Sequence, residues 1–194
     1  MHEGAEIARG LRSRDPELLD QLIEQYQHRL FRYLLYFTRD QQMAEDIFQE
    51  TWIRVLEKGR QFNPQWKFET WLISIARNLA IDTARRRRTT TFTELEHEGE
   101  DEPVFDVADT RATAALEQVI QQQLDQRVAD AVQHLSPLYR EALLLRFQED
   151  LSIEEIARVV GSPLSTVKSR LHRGMAMLAD RLRALSILPR EVQP

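Results

Sequence analysis

The segment 151–177, LSIEEIARVVGSPLSTVKSRLHRGMAM, restricts the possible folds more than any other part of the chain. Ser152 and Glu155 have the spacing of a capping box, which predicts a helix that begins at Ile153. Gly161 is placed to end this helix in the left-handed conformation that glycine adopts most easily. A short helix, a tight turn and a second amphipathic stretch together predict a helix-turn-helix.

The second helix of this motif has an apolar face and a basic face. We expect Ser162 to cap it and Pro163 to occupy its first position, where the missing N–H costs nothing. The side chains predicted to point inward are Leu164, Val167 and Leu171. The side chains predicted to point outward are Thr166, Lys168, Ser169, Arg170, His172 and Arg173. Any helical hairpin needs caps and a solvated face, but hydroxyl and cationic groups together suit phosphates and base edges, which favours a DNA-binding motif.

The net charge of −5 hides an uneven distribution. Residues 89–111 include eight acidic residues and one basic residue, and the rest of the chain carries 25 basic and 23 acidic residues. Four arginines, residues 85–88, stand immediately before this acidic segment. Such a change of charge marks a domain boundary, and the low apolar content of the segment predicts a flexible linker.

Helical periodicity on both sides of the acidic segment predicts an all-α fold. The chain has only six glycines and seven prolines, and no segment alternates with the period of a strand. We predict a first helical domain over residues 1–88 and an acidic linker over residues 89–112. The second helical domain then covers residues 113–194 and contains the helix-turn-helix.

Three helices are predicted in the first domain. One is a long amphipathic helix that begins near Pro16, with leucines or a tyrosine at every fourth position from residue 18 to residue 34. The second covers residues 41–58 and has Leu56 on its apolar side. The third begins at residue 69 or 70 and runs into the four arginines, so the segment before it is predicted to be a loop.

The composition excludes several classes of function. The chain has no cysteine, its five histidines lack metal-ligand spacing, and it has no glycine-rich phosphate loop and no nucleophile with a plausible base. We therefore expect no metal, no cofactor and no enzymatic activity. The N-terminus lacks the apolar core of a signal peptide, and no run approaches the roughly 18 apolar residues of a membrane span. A cytoplasmic protein without membrane insertion is expected.

The predicted loop of the first domain combines aromatic and basic side chains. Aromatic rings can stack on unpaired bases while cations follow the backbone, as in single-strand binding. An amide on the following helix could reach a base edge. The candidates for this role are Phe62, Asn63, Trp66, Lys67 and Asn78. Trp71 and Phe68 also fit a simple role in the core, and for the loop residues both interpretations stay open.

Asp46, Gln49, Glu50 and Ile53 lie three or four residues apart, on the face opposite the predicted core. Acidic and amide groups around an apolar residue suit docking on a basic partner helix. Periodicity alone favours a solvated face at these positions.

Three runs of the sequence resemble those of bacterial extracytoplasmic-function (ECF) sigma factors. They are AEDIFQETWIRVL, FETWLISIARNLAIDTARRRR and LSPLYREALLLRFQEDLSIEEIARVVGSPLSTVKSRLHRG. They occur in the order and spacing of that family, and the resemblance covers roughly residues 17–183. It implies an alternative sigma factor that binds core RNA polymerase, directs promoter-specific initiation and melts promoter DNA.

The resemblance implies roles for particular residues and partners. Asp46, Gln49, Glu50 and Ile53 match the surface that docks on the clamp helices of the polymerase largest subunit, which reverses the preference for a solvated face. The loop residues and Asn78 match the surface that melts the minus-ten element, and Arg85, Arg86 and Arg87 match the part that contacts duplex backbone upstream. Positions that match contacts to the minus-thirty-five element are Arg146, Thr166, Lys168, Ser169, Arg170, His172 and Arg173.

The resemblance also implies further partners and a role for the linker. The polymerase flap and an anti-sigma protein are the further partners that we expect. In related factors the linker threads through the polymerase active-site cleft, where acidic side chains could mimic RNA; a solvated spacer is the alternative. A stand-alone helix-turn-helix regulator is the rival function, and it would bind its DNA site specifically without core polymerase.

Overall fold

The computed structural model describes residues 2–91, residues 127–185 and residue 187. All regular structure in these residues is helical, which confirms the all-α prediction. The first helical unit consists of α1 (His2–Ser13), α2 (Pro16–Thr38), α3 (Gln41–Lys58) and α4 (Phe68–Thr91). The second consists of α5 (residues 127–133), α6 (Pro137–Leu143), a π-helical turn (Leu144–Gln148), α7 (Ile153–Val160) and α8 (Leu164–Ala184).

The structure describes the junction between the units only at the end of the first unit. Helix α4 continues to Thr91, three residues beyond the boundary predicted at residue 88. The remainder of the predicted acidic linker lies outside the described residues. None of the helices in the described parts of the chain is both long and apolar enough to cross a membrane.

Aspartate caps fix the starts of two long helices. The Asp15 carboxylate accepts hydrogen bonds from the first backbone N–H groups of α2, and Asp40 accepts one from the Met43 N–H at 2.8 Å. Between these helices Arg39 adopts a left-handed conformation with φ of 61°, which turns the chain from α2 into α3. Local capping therefore explains why α3 begins where the sequence predicts it.

Helix α1 was not predicted, yet it belongs to the core of the first unit. Ile7, Ala8 and Leu11 are buried on one face of it. Gly4 lies so close to the loop before α4 that a Cβ atom there would be 2.7 Å from the Pro64 carbonyl oxygen. Glycine therefore permits the approach of α1 to this loop, and the contact fixes where the loop lies.

Helices α2, α3 and α4 enclose the rest of the core. The fully buried side chains include Tyr33, Leu34 and Val55, and Leu72 reaches them from α4. Leu56, which we placed on the apolar side of α3, is 41% exposed, so that assignment is wrong. It lies one residue beyond Val55, and that step of about 100° turns it away from α2 and α4.

The helix-turn-helix is confirmed as a local structure. The Glu155 N–H donates to the Ser152 hydroxyl at 3.2 Å, and the Ser152 N–H donates to the Glu155 carboxylate at 2.8 Å. Gly161 ends α7 with φ of 63°. Ile156 on α7 and Val167 on α8 are buried, and both belong to the hydrophobic core that also includes the buried side chains of the first unit.

The start of α8 differs from the prediction by one residue. Pro163 has extended backbone and is the cap, its carbonyl accepting from the Val167 N–H at 3.1 Å. Ser162 does not cap this helix, because its N–H donates to the Ala157 carbonyl and it belongs to the end of α7. Leu164 is 44% exposed rather than inward, since it lies in the first turn, beyond the contact with α7.

The Asp40 cap can be tested by substitution. Asp40→Ala should lower the free energy of unfolding by about 1 kcal/mol at pH 7, because the α3 N-terminus loses its acceptor. The Met43 hydrogen bond, followed by Arg87 at 2.7 Å, lowers the pKa of Asp40. The contribution of ionised Asp40 to the free energy of unfolding is therefore complete above its unfolded-state pKa of about 4. It is lost as the pH falls through the lower folded-state pKa.

Urea denaturation between pH 2.5 and 7 measures this effect. Asp40→Asn is the matched control, since its amide oxygen can still accept from the Met43 N–H while the charge opposite Arg87 is gone. Equal losses in the two variants would contradict the capping role.

Candidate nucleic-acid and polymerase interfaces

The outer face of α8 carries the residues predicted to contact the upstream element. Lys168, Ser169, His172 and Arg173 are exposed, whereas Thr166 and Arg170 are partly buried at the edge of the same face. Val167 points into the core, so the polar positions around it must point outward. The arrangement offers hydroxyl, imidazole and guanidinium donors on one helix, which suits phosphates and base edges.

Arg146 lies in the π-helical turn rather than on α8. Its guanidinium donates to the Leu151 carbonyl at 3.0 Å, and Asp150 lies 3.9 Å away. Part of this side chain therefore holds the turn that leads into α7. The side chain is still 41% exposed, so it can also face a ligand from this position.

The structure divides the aromatic loop into a core part and a surface part. Phe62 is 1% exposed, with its ring centroid 5.8 Å from Phe68 and 5.2 Å from Trp71. Our placement of Phe62 at a DNA surface is thus corrected, since a ring enclosed by two others cannot stack on a base. Asn63 next to it is exposed, and its side chain accepts from the Gln65 N–H at 3.0 Å.

Trp66 and Lys67 remain at the surface of the first unit, but each contacts the second unit. The Arg158 guanidinium of α7 lies 5.6 Å from the centroid of the Trp66 ring. The Lys67 ammonium lies 3.3 Å from the Glu155 carboxylate. Burial acts to raise the pKa of Glu155, but hydrogen bonds with Ser152 and the charge of Lys67 lower it overall.

The remaining candidates of this surface lie along α4. Asn78 is exposed, and its amide oxygen accepts from Arg77 at 3.4 Å. Arg85, Arg86 and Arg87 are exposed near the end of the helix, and Arg87 bonds to Asp40. Helix α4 therefore presents an amide and three guanidinium groups over its last four turns.

The polymerase-facing candidates form an exposed patch on α3. Asp46 and Gln49 are exposed, Glu50 is half-exposed, and Ile53 is 49% exposed between polar neighbours. Gln42 donates to Asp46 at 3.2 Å, and Arg54 lies 2.9 Å from Glu50. An apolar side chain ringed by carboxylates and amides matches the surface expected for docking on a basic helix.

Sequence reasoning missed three ion pairs between the units, the Lys67–Glu155 pair described above and two that are more buried. Arg29 of α2 donates to the Glu149 carboxylate at 2.8 Å and also to the Glu149 carbonyl. Arg77 of α4 donates to both carboxylate oxygens of Glu141 on α6. Burial raises the pKa of Glu149, and Arg29 opposes that shift. A sequence signal for one of these pairs was Glu141, an acidic residue directly before the apolar run ALLL at residues 142–145.

No group of three histidine, aspartate or glutamate side chains in the described ranges is arranged to hold a metal ion. The chemistry that these surfaces offer is hydrogen bonding, ion pairing and ring stacking. Such a two-unit helical protein with a capped helix-turn-helix belongs to the DNA-binding class.

Comparison with known proteins specifies this class. The Sigma-70 region 2 model matches residues 22–90, and the Sigma-70, region 4 model matches residues 125–178. The ECF RNA polymerase sigma factor SigX of Bacillus subtilis is 31% identical over 177 residues, which cover 87% of this chain and 86% of that protein. SigE of Mycolicibacterium smegmatis is 35% identical over 169 residues, covering 84% of this chain and 61% of that longer protein.

The fold is also similar to that of a solved sigma factor. The structure of the sigma factor RpoE with the anti-sigma factor NepR from Bartonella quintana matches with a TM-score of 0.68 at 22% identity, over 84% of this chain and 96% of that one. The chain belongs to the ECF RNA polymerase sigma factor family. It is an alternative sigma factor, which acts in transcription initiation.

The corrected position of Phe62 can be tested on the isolated protein. Phe62→Ala should lower the free energy of unfolding by about 3–5 kcal/mol, because it empties an aromatic core site. Asn63→Ala, the neighbouring control, should cost less than about 1 kcal/mol, since the side chain is exposed. Chemical denaturation measures both values, and similar small losses in the two variants would place Phe62 outside the core.

Proposed function

We propose that the two helical units bind separate elements of one promoter while the first unit also docks on core RNA polymerase. The observation that carries the proposal is the hydroxyl and cationic face of α8 within a capped helix-turn-helix. In this proposal α8 reads the minus-thirty-five element and the second unit contacts the polymerase flap. The units correspond to the predicted domains 1–88 and 113–194, joined by the acidic linker 89–112.

The patch on α3 is the proposed docking surface for the clamp helices of the largest polymerase subunit. Its support is the exposed Ile53 side chain among acidic and amide groups. Burying an exposed isoleucine contributes about 1.5–3 kcal/mol, and the surrounding carboxylates give electrostatic complementarity to a basic helix. Affinity then comes from Ile53, whereas orientation comes from Asp46, Gln49 and Glu50.

Melting of the minus-ten element is assigned to the loop and α4 of the first unit. Opening a few base pairs costs several kcal/mol, and stacking on an aromatic ring recovers about 1–3 kcal/mol per base. Trp66 is a half-buried ring in this loop, with Asn63, Lys67 and Asn78 as polar partners. Contact with the duplex backbone upstream is assigned to the arginines at residues 85–87.

Because the cost of opening base pairs and the gain from stacking nearly cancel, neither unit alone is expected to open a promoter. Joining them in one chain makes the second contact intramolecular, which raises its effective concentration. Polymerase contributes the remaining affinity through the α3 patch. Function in this proposal therefore rests on binding energy, without a chemical step catalysed by the chain itself.

An anti-sigma protein is a further proposed partner. The structure of RpoE from Bartonella quintana contains the anti-sigma factor NepR, and CnrH was solved with the cytosolic domain of CnrY. These complexes support, by analogy, an anti-sigma partner for this chain.

Run-off transcription with purified core polymerase and a promoter library tests the proposed function. The wild-type chain should initiate on a subset of promoters. Ile53→Asp should weaken core binding by about 30-fold or more, because a charge replaces a buried apolar group at a cost of about 2 kcal/mol. Ile81→Asp on α4, with a side chain 39% exposed, is the matched control and should bind core normally in the absence of DNA. Absence of both core binding and initiation would refute the function.

Two variants separate upstream recognition from melting. Arg170→Ala should relax specificity at one position of the upstream element, since a good base contact discriminates by about 1–3 kcal/mol. Trp66→Ala should leave upstream specificity intact and slow strand opening, because a stacking ring is removed. Competition binding and permanganate reactivity of the melted strand measure the two effects. If both variants lost the same property, the division of roles would be wrong.

A further inference from the structure

Helix α1 packs along the aromatic loop, residues 59–67, which carries part of the proposed melting surface. A Cβ atom added at Gly4 would lie 2.7 Å from the Pro64 carbonyl oxygen, and one added at Gly59 would lie 3.0 Å from the Leu11 Cβ. One of these glycines belongs to α1 and the other to the start of the loop. Helix α1 therefore approaches the loop closely at two points, and each approach depends on a position without a side chain.

Both contacts lie on one face of α1. Gly4, Ile7, Ala8 and Leu11 follow the i, i+3, i+4, i+7 spacing of a single helical face. Ile7, Ala8 and Leu11 are buried, and they belong to the same hydrophobic core as Phe62 of the loop. The first and last of these positions are two turns apart, about 10 Å along the axis at 1.5 Å per residue. One face of α1 thus supports the loop over a length of about 10 Å.

The contacted part of the loop is a turn that carries two of the residues assigned to melted DNA. The Trp66 N–H donates to the Asn63 carbonyl at 3.0 Å, which closes a four-residue turn. Pro64 restricts φ at the second position of this turn, and the Asn63 side chain accepts from the Gln65 N–H at 3.0 Å. These restraints leave the turn few ways to deform internally. A displacement of the Pro64 carbonyl therefore moves Asn63 and Trp66 with it.

The contact at Gly4 differs from ordinary core packing. Side chains in a core can adapt to a neighbour by changing rotamer, but a glycine and a backbone carbonyl have no rotamer to change. Gly10 of the same helix shows the contrast, because a Cβ atom there would lie 2.2 Å from the Cδ2 atom of Leu18, the end of a flexible side chain. The Gly4 contact consequently fixes the position of the turn more tightly than a side-chain contact would. The Sigma-70 region 2 match begins at residue 22 and does not include α1.

We propose that α1 is a positioning element for the melting surface, and that it holds the aromatic loop so that Asn63 and Trp66 have a fixed orientation before the DNA strands separate. The proposal rests on the proposed function, because it takes this loop as the surface that receives melted bases. A loop that is ordered in advance spares strand opening the entropic cost of ordering it. Loss of the α1 contact should slow opening and leave docking through the α3 patch unchanged.

Two glycine-to-alanine substitutions in α1 form a matched pair. Gly4→Ala places a methyl group against the Pro64 carbonyl, so the turn must shift. Gly10→Ala places the same group against the Leu18 side chain of α2, which can rotate away. Both variants replace a helical glycine by alanine, so they change helix propensity in the same direction. Circular dichroism and chemical denaturation check that both remain folded.

Strand opening is measured with the full-length chain, core polymerase and a library promoter that carries 2-aminopurine in the melted element. At saturating holoenzyme, Gly4→Ala should open the promoter about tenfold more slowly than wild type, because the stacking ring is misplaced. Its affinity for core and the holoenzyme concentration at half-maximal rate should not change. Gly10→Ala should open at the wild-type rate. Gly59→Ala, which presses on Leu11 at the other contact, should also slow opening.

A double-mutant cycle separates positioning from a general loss of stability. If α1 acts through Trp66, the slowing caused by Gly4→Ala should disappear in a Trp66→Ala background, because the ring that α1 positions is gone. Independent destabilisation would instead add to the slowing caused by Trp66→Ala, and that result would contradict the proposal.

Fluorine NMR of the chain labelled with 5-fluorotryptophan reports the position of the loop without DNA. The chain has three tryptophans, and Trp66→Phe identifies the signal of the loop residue. Gly4→Ala should shift the Trp66 signal. The signal of Trp52, whose ring centroid lies 6.4 Å from that of Phe48 on α3, should stay in place. Gly10→Ala should leave both signals unchanged.

Three results would overturn the role of α1. They are an unchanged Trp66 signal in Gly4→Ala, loss of core binding in Gly4→Ala, and a normal opening rate in Gly4→Ala when Trp66→Ala opens slowly. Failure of the proposed function has a different signature, since Trp66→Ala would then open the promoter at the wild-type rate. That outcome would refute the melting role of the loop and, with it, the role of α1.

Discussion

The buried carboxylate of Glu149 is the constraint on which the arrangement of the two units depends. A carboxylate that is 1% exposed is costly unless a cation compensates for the lost hydration. Arg29 supplies that charge from the other unit and also bonds to the Glu149 carbonyl, so the side chain and the backbone of the π-helical turn are held together. The second unit is thereby positioned with α7 against the loop of the first.

Contacts of opposite charge recur across this interface. Lys67 pairs with Glu155, and Arg77 pairs with Glu141. The Arg158 guanidinium lies 5.6 Å from the centroid of the Trp66 ring, so a cation of the second unit also meets an aromatic ring of the first. The two units are therefore joined by charged side chains at the rim of their contact as well as by the buried pair of Glu149.

Much of the fold follows from local sequence signals. The capping box at Ser152, the left-handed Gly161 and the bounds of α3 were predicted because they depend on neighbours within four residues. The start of α8 was placed one residue too early, because Ser162 belongs to the end of α7, and Leu164 lies exposed in the first turn of α8. Helix α1 was missed because its two apolar turns are too short to stand out until the rest of the unit packs against them.

The candidate site was predictable only in part, because contacts between distant segments decide which of its side chains are exposed. The sequence by itself determined that α2, α3, α4, α7 and α8 form and where most of their polar faces lie, since helical periodicity and capping act over a few residues. Only the tertiary structure decided that Phe62 is enclosed by other rings whereas Trp66 remains at the surface. It alone decided that Arg77 meets Glu141, because a contact between residues 64 positions apart depends on how packed helices meet.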